Sequence, residues 1–202
     1  MSAETRKREL RLAVLAHRDA AARDGEAAAH AVADRFPDGW MATPGLIVAG
    51  YRALGSELDP DPLMRRLAAA GARLALPVMG LDGEPLTFRA WTEGDPLERR
   101  AYNVEEPDRA ATLVVPDLVL VPLVAIDRAG IRMGYGKGYY DRTLSALRRA
   151  GPVRAVGLAF DVQLVDSVPA EPHDEALDAL VTPTTVHRFT EHEKGAPPER
   201  DA

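Results

Sequence analysis

The chain has 202 residues, of which 46% are hydrophobic and 28% charged, and it carries a formal net charge of −6. That length fits a single domain, and the composition fits an ordinary globular protein able to bury a core. The absence of cysteine excludes disulfides, thiolate zinc sites, iron–sulfur clusters and cysteine nucleophiles. The negative balance argues against a dedicated nucleic-acid binder, so any anionic ligand must be held by a local basic site. No apolar run approaches the roughly 20 residues needed to cross a bilayer, and the charged N-terminus lacks the apolar stretch of a secretory signal. The expectation is a cytoplasmic protein with neither a membrane nor a nucleic-acid partner.

Taken in chain order, Ala3 to Phe36 reads as helical, with Leu10, Val14, Ala28, Val32 and Phe36 near helical spacing in an Ala-rich context. A break is expected at Arg18-Asp19 or at Asp24-Gly25, and Pro37-Asp38-Gly39 ends the segment. Leu46-Ile47-Val48-Ala49 is a short apolar run expected to be a buried strand. Asp59-Pro60-Asp61-Pro62 opens a helix that Gly71 stops, and Arg73 to Val78 is a second strand. Asp82-Gly83 predicts a tight turn into a strand from Leu86 to Trp91, with Phe88 and Trp91 in the core. Thr92 to Pro116 reads mostly as loop. Leu118–Val121 is a β-branched run bounded by Pro116 and Pro122. A helix is predicted over Tyr139 to Ala150, strands over Val153–Phe160 and Ala179–Val181, and Arg148 and Arg149 as a solvated helix end. From Thr190 the charged, apolar-poor stretch predicts disorder, which leaves one domain over residues 1–189 and a tail over 190–202. Strands alternating with helices, as apolar runs, predict a three-layer α/β/α sandwich on a largely parallel sheet. In such sheets ligands bind outside the carboxyl ends of the strands, which directs attention to the loop after Leu118–Val121.

That loop contains Arg132-Met133-Gly134-Tyr135-Gly136-Lys137-Gly138-Tyr139-Tyr140-Asp141. Three alternating glycines let the backbone turn sharply and bring N–H groups up to a ligand. The helix start that follows adds unsatisfied donors and a positive partial charge, and Arg132 and Lys137 add two full charges. The combination predicts a phosphate site, and Asp141 lies close enough to hold a hard cation bridging the phosphates. The spacing fits neither a Walker A loop nor the dinucleotide fingerprint. A flexible turn with solvated charges is the bland alternative. The coincidence of three glycines, two cations, a helix start and an acidic residue outweighs it. The histidines His17, His30, His187 and His192 show no metal-ligand spacing and read as surface residues, and His173 reads as a turn residue.

The run from Val121 to Asp127 and on through Arg132 to Arg142 closely resembles the signature of the 5-formyltetrahydrofolate cyclo-ligases, also called methenyltetrahydrofolate synthetases. Lys7-Arg8-Glu9-Leu10-Arg11, Leu74–Val78, Val156–Asp161 and Val181-Thr182-Pro183 resemble further blocks of the family, so that the likeness covers most of residues 5 to 188. Met133 stands where Leu is commoner. The resemblance implies ATP-dependent, magnesium-dependent closure of 5-formyltetrahydrofolate to 5,10-methenyltetrahydrofolate, without a covalent nucleophile on the protein. It implies ATP contacts from Lys7, Arg8, Arg11 and the segment Arg132, Met133, Gly134, Tyr135, Gly136, Lys137, Gly138, Tyr139 and Tyr140, with Arg132 and Lys137 catalytic. It implies folate contacts from Arg52, Glu57, Tyr102 and Tyr135 to Tyr139, and magnesium ligation by Asp141 and Asp174. On the residues alone, Lys7 and Arg11 could equally be a solvated basic face, Glu57 a surface residue, Tyr102 a half-buried structural tyrosine and Asp174 part of an acidic turn. A small-molecule phosphotransferase using the same loop, or a protein that only sequesters a folate or nucleotide, stay open as alternatives. A monomer acting on small molecules is expected.

Overall fold

In the computed structural model, residues 3–41 and 43–189 are described; the tail expected from Thr190 onward lies outside them. The N-terminal helical segment is broken at Ala22–Asp24, a single tighter turn between α1 (Ala3–Ala21) and α2 (Gly25–Arg35). Of the two breaks expected there, the one at Asp24-Gly25 forms, and Arg18-Asp19 stays inside α1. The remaining helices are α3 (Asp61–Ala69) and α4 (Tyr139–Ala150). At the start of α3 the Asp59 carboxylate accepts the Asp61 N–H at 3.0 Å, and Pro62 sits in the first turn, where its missing N–H costs nothing.

The strands are β1 (Ile47–Ala49), β2 (Arg73–Val78), β3 (Thr87–Ala90), β4 (Leu97–Arg99), β5 (Glu105–Pro107), β6 (Leu113–Val114), β7 (Leu118–Val121), β8 (Ala125–Ile126), β9 (Arg132–Met133), β10 (Arg154–Leu158), β11 (Ala179–Val181) and β12 (Val186–Arg188). Eight of them form one sheet in the order β12-β11-β10-β7-β1-β2-β3-β6. Its five central strands, β11 to β2 in that order, are parallel, and the two edges are closed by antiparallel β12, β3 and β6. β4–β5 and β8–β9 are separate two-stranded ribbons.

The apolar runs are explained by burial on both faces. Val48, Leu74, Leu76, Leu118, Leu120, Val156 and Leu158 point into one core, shared with Val32 of α2, Phe36 just past its end, and Leu63, Met64 and Leu67 of α3. Their neighbours Ala49, Ala75, Val119, Val121 and Ala155 point into a second core, shared with Leu144 of α4. This is the three-layer sandwich, with α2 and α3 on one side and α4 on the other. Phe88 and Trp91 are buried, as expected.

One local reading is refined and one corrected. Thr92 to Pro116 is mostly loop, as expected, but it also holds the short β4–β5 hairpin and the edge strand β6. Glu106 docks that hairpin on the sheet, since its buried carboxylate accepts the Met79 N–H just past β2 at 3.1 Å. Arg148, by contrast, is not merely solvated. It pairs with Glu175 at 2.7 Å and Asp178 at 3.3 Å and donates to the Ala176 carbonyl, because α4 packs beside the segment leading into β11.

The β8–β9 ribbon sets where the glycine-rich loop begins. Buried Asp127 organises its turn: one carboxylate oxygen accepts the N–H groups of Ala129 at 2.9 Å and Ile131 at 3.1 Å, and the other accepts that of Val168 at 3.0 Å. Asp127→Ala would orphan three donors. An unsatisfied buried group costs about 1–3 kcal/mol, so we expect urea denaturation to show a loss of about 3 kcal/mol. An unchanged midpoint would contradict this role.

Candidate functional site

A cavity of about 740 Å3 opens at the carboxyl ends of the parallel strands, where ligands of open α/β sheets bind. Its wall is built from α1, the loop after β1, the end of β2, the β4–β5 hairpin, the loop from β9 into α4, and the segment from Val168 to Asp174.

The glycine-rich loop forms one end. Gly136 and Gly138 have φ of +89° and +64°, a region that residues with a Cβ enter only at a cost. A side chain at Gly138 would in addition press on the Arg142 guanidinium, 2.8 Å away. Gly134 has an ordinary backbone with open space around it, so its role there is to leave the cavity unobstructed. Gly138 precedes α4, whose first-turn N–H groups lack intrahelical acceptors. The loop is pinned at both ends by one ion pair. Arg132, 8% exposed, donates through Nη2 to Asp141 Oδ1 at 2.9 Å and through Nη1 to the Glu175 carbonyl at 2.6 Å. The same Asp141 oxygen accepts the Glu175 N–H at 3.1 Å. Burial lowers the Arg132 pKa, and Asp141 opposes that shift.

The cations of the wall divide into spent and unspent charges. Lys7 pairs with Glu171 at 3.0 Å, and this contact pulls the Glu171 carboxyl below its ordinary pKa. Arg52 pairs with Asp61 at 2.7 Å and lies 3.6 Å from Glu105. Arg132 is committed to Asp141. Lys137 and Arg11, by contrast, have no carboxylate partner at ion-pair distance among the described residues. The Lys137 ammonium lies 5.5 Å from the centre of the Tyr102 ring, and Arg11 donates through Nε to the Gly134 carbonyl at 3.1 Å. Tyr102 and Asn103 both have positive φ, 55° and 62°. Non-glycine residues pay on the order of 1 kcal/mol each for that conformation, and here it holds an exposed aromatic ring at the cavity edge, opposite the glycine loop.

At the other end Glu57 accepts the Leu54 N–H at 2.8 Å. Burial pushes its carboxyl above the ordinary range, against the opposing pull of that N–H, Arg18 and Tyr135. Burial likewise holds the phenols of Tyr51, Tyr135 and Tyr140 protonated well past neutrality.

Most of the residues singled out in the sequence thus meet in one cavity: Lys7, Arg11, Arg52, Glu57, Tyr102, the run Arg132 to Asp141, and Asp174. Arg8 is exposed and outside the lining. Among the lining residues missed by sequence reasoning, Arg18, Glu106 and Glu171 carry charge. Arg18 had a signal, since it follows Lys7 and Arg11 at spacings that put all three cations on one stripe of α1. Glu171, His173 and Asp174 place three potential ligand atoms within 4.8 Å of one another. Asp141 keeps its second oxygen outside the contacts with Arg132 and Glu175. A hard cation that retains most of its waters fits such a set.

Burial of ionised Glu57 has a stability cost with a defined sign. A carboxyl raised in the folded state destabilises above its folded pKa, and the penalty vanishes once pH falls below the unfolded value near 4.5. Glu57→Gln is therefore expected to be more stable than wild type at pH 7 and equal to it at about pH 4 in urea titrations. A difference independent of pH would contradict the burial of this charge.

The sequence model described as the 5-formyltetrahydrofolate cyclo-ligase family matches residues 3–183. A 5-formyltetrahydrofolate cyclo-ligase of Mycolicibacterium smegmatis is 36% identical over 191 residues, covering 88% of this chain and 93% of that protein. One from Escherichia coli is 37% identical over 144 residues, covering 69% and 79%. The solved structure of Aquifex aeolicus 5,10-methenyltetrahydrofolate synthetase superposes with a TM-score of 0.70 at 28% identity, covering 96% of each chain.

Proposed function

The chain belongs to the 5-formyltetrahydrofolate cyclo-ligase family, and from that premise we propose that it closes 5-formyltetrahydrofolate to 5,10-methenyltetrahydrofolate with hydrolysis of ATP to ADP and phosphate. The observation that carries this reading is that one cavity joins an end with a glycine-rich backbone and unspent cations to an end with a half-buried carboxylate acceptor. The relatives named as cyclo-ligases support it.

The chemistry asks for such a site. A formamide carbonyl is a poor electrophile and its oxygen a poor leaving group. Transfer of the γ-phosphoryl group to the formyl oxygen gives an iminium phosphate; N10 attacks the activated carbon, the ring closes and phosphate leaves. The protein's work is positioning and charge stabilisation. The glycine loop and the first turn of α4 supply N–H donors to the phosphates, and Lys137 and Arg11 supply charge that no internal partner neutralises. Lys7 joins them by leaving Glu171. Arg132 acts by holding Asp141 and the Glu175 backbone in place. Tyr102 offers a flat face to the folate, and Glu57 accepts hydrogen bonds from ring N–H groups of the pterin. Asp141 and Asp174, with Glu171 and His173 nearby, would hold magnesium, which when bound neutralises phosphate charge.

The direct test is incubation with ATP, magnesium and 5-formyltetrahydrofolate while following methenyl absorbance. ADP release without that chromophore would favour a phosphotransferase, and stoichiometric binding without turnover a sequestering protein. Lys137→Ala is expected to lower kcat by about 100-fold with the fold intact, and a rate near wild type would remove this lysine from the mechanism. Asp141→Asn is expected to raise the half-saturating magnesium concentration at least tenfold, in activity and in metal-binding titrations alike. An unchanged titration would argue against ligation by Asp141.

A further inference from the structure

Arg18 is a cavity cation to which the reaction chemistry gives no task. It sits in α1 at 3% exposure, where a guanidinium is retained only if its interactions repay its lost hydration. Its Nε donates to Ser56 Oγ at 3.0 Å and its Nη2 to the Tyr135 hydroxyl at 2.9 Å. Ser56 donates onward to Asp19, one residue along α1. Nη1 is buried with no hydrogen-bond partner among the described residues. Arg18 thereby ties α1 to the loop after β1, which carries Glu57, and to the glycine-rich loop, which carries Tyr135. The titratable groups facing Glu57 are Arg18 from α1, Tyr51 from the start of its own loop, Tyr135 from the glycine-rich loop and Tyr140 from α4. Of these, Arg18 is the cation.

We propose that Arg18 is a positioning residue for the folate half of the cavity: by gripping Ser56 and Tyr135 it orients Glu57 and supplies the positive charge that this carboxylate faces. The inference rests on the ligase reading given above. Arg18 is not a phosphate ligand, since two of its nitrogens are engaged with Ser56 and Tyr135 and the third is covered. Its absence leaves the half-buried Glu57 with no facing cation, and the carboxyl then stays protonated to higher pH. A protonated Glu57 presents a donor where the pterin N–H groups need an acceptor.

The test is steady-state kinetics with the folate and ATP varied separately, over a range of pH, for wild type, Arg18→Met, Arg18→Lys and Tyr135→Phe. Arg18→Met is expected to raise the folate KM about tenfold or more while the ATP KM stays within about twofold. The acidic limb of folate kcat/KM should move to higher pH. Arg18→Lys should bring that limb back towards wild type, because the charge returns, but leave part of the KM defect, because an ammonium cannot span Ser56 and Tyr135 as a guanidinium does. Equal changes in both KM values, or an acidic limb that does not move, would overturn the proposal, since a purely structural role predicts them. If Arg18→Met does not fold, Arg18→Lys and Tyr135→Phe decide: each must raise the folate KM selectively, and their effects must combine less than additively. Should wild type bind 5-formyltetrahydrofolate without converting it, the ligase reading fails on its own. Calorimetric affinities of the same variants for 5-formyltetrahydrofolate and for ATP then decide the role of Arg18 by the same selectivity.

Discussion

A buried guanidinium holds the site together. Arg132 ends the β8–β9 ribbon, Asp141 lies in the first turn of α4, and the glycine-rich loop runs between them, so their ion pair at 2.9 Å closes the loop at its base. The second arm of Arg132 reaches the Glu175 carbonyl, and Arg148 grips the same segment from the outer side of α4. A loop with three glycines would by itself sample many conformations. Here its ends are fixed by a pair whose disruption would leave a charge uncompensated in the interior, a loss of about 3–5 kcal/mol. The backbone is bare at its glycines and still held in one place.

This commitment explains the division of charge across the wall. A basic cavity can hold phosphates only with cations that the protein has not already neutralised. Arg132 and Arg52 spend theirs on fixing loops, Lys7 is shared with exposed Glu171, and Lys137 and Arg11 keep theirs. The acidic chain as a whole repels anions, so affinity for a polyphosphate depends on these few groups and on backbone N–H donors. At the far end the balance is reversed, with a half-buried carboxylate facing a single buried arginine. The two halves differ as the two substrates of the proposed reaction differ.

The sheet centre and the glycine-rich loop were legible in the sequence because local chemistry dictates them. Leu118–Val121 and Arg73–Val78 are buried on alternate sides by two different cores, so they read as unbroken apolar runs. The β4–β5 hairpin was hidden: Glu105-Glu106-Pro107 shows neither alternation nor a β-branched run, and what docks it is one buried carboxylate on a distant backbone N–H. Edge strand β12 spans three residues, too short for a periodic signal. Within the site, Glu57 and Tyr102 needed the family resemblance, since an acidic residue near a helix start and an aromatic in a charged segment have many uses. The commitment of Arg132 to Asp141 was not readable at all, because both residues sit inside the motif and the motif does not say which charges face inward. Arg18 looked like part of a helix break, and only the packing of α1 against two loops makes it a wall residue.

The proposed reaction requires the glycine-rich loop to grip a triphosphate and aim its terminal phosphoryl group at a formyl oxygen held from the Glu57 side. A crystal structure with a non-hydrolysable ATP analogue, magnesium and 5-formyltetrahydrofolate measures this directly. The account predicts phosphate oxygens within hydrogen-bond distance of backbone N–H groups between Gly136 and Tyr140, with Lys137 on the terminal phosphate and the formyl oxygen in line with it. A triphosphate bound elsewhere in the cavity, with that loop turned away from it, would contradict the account.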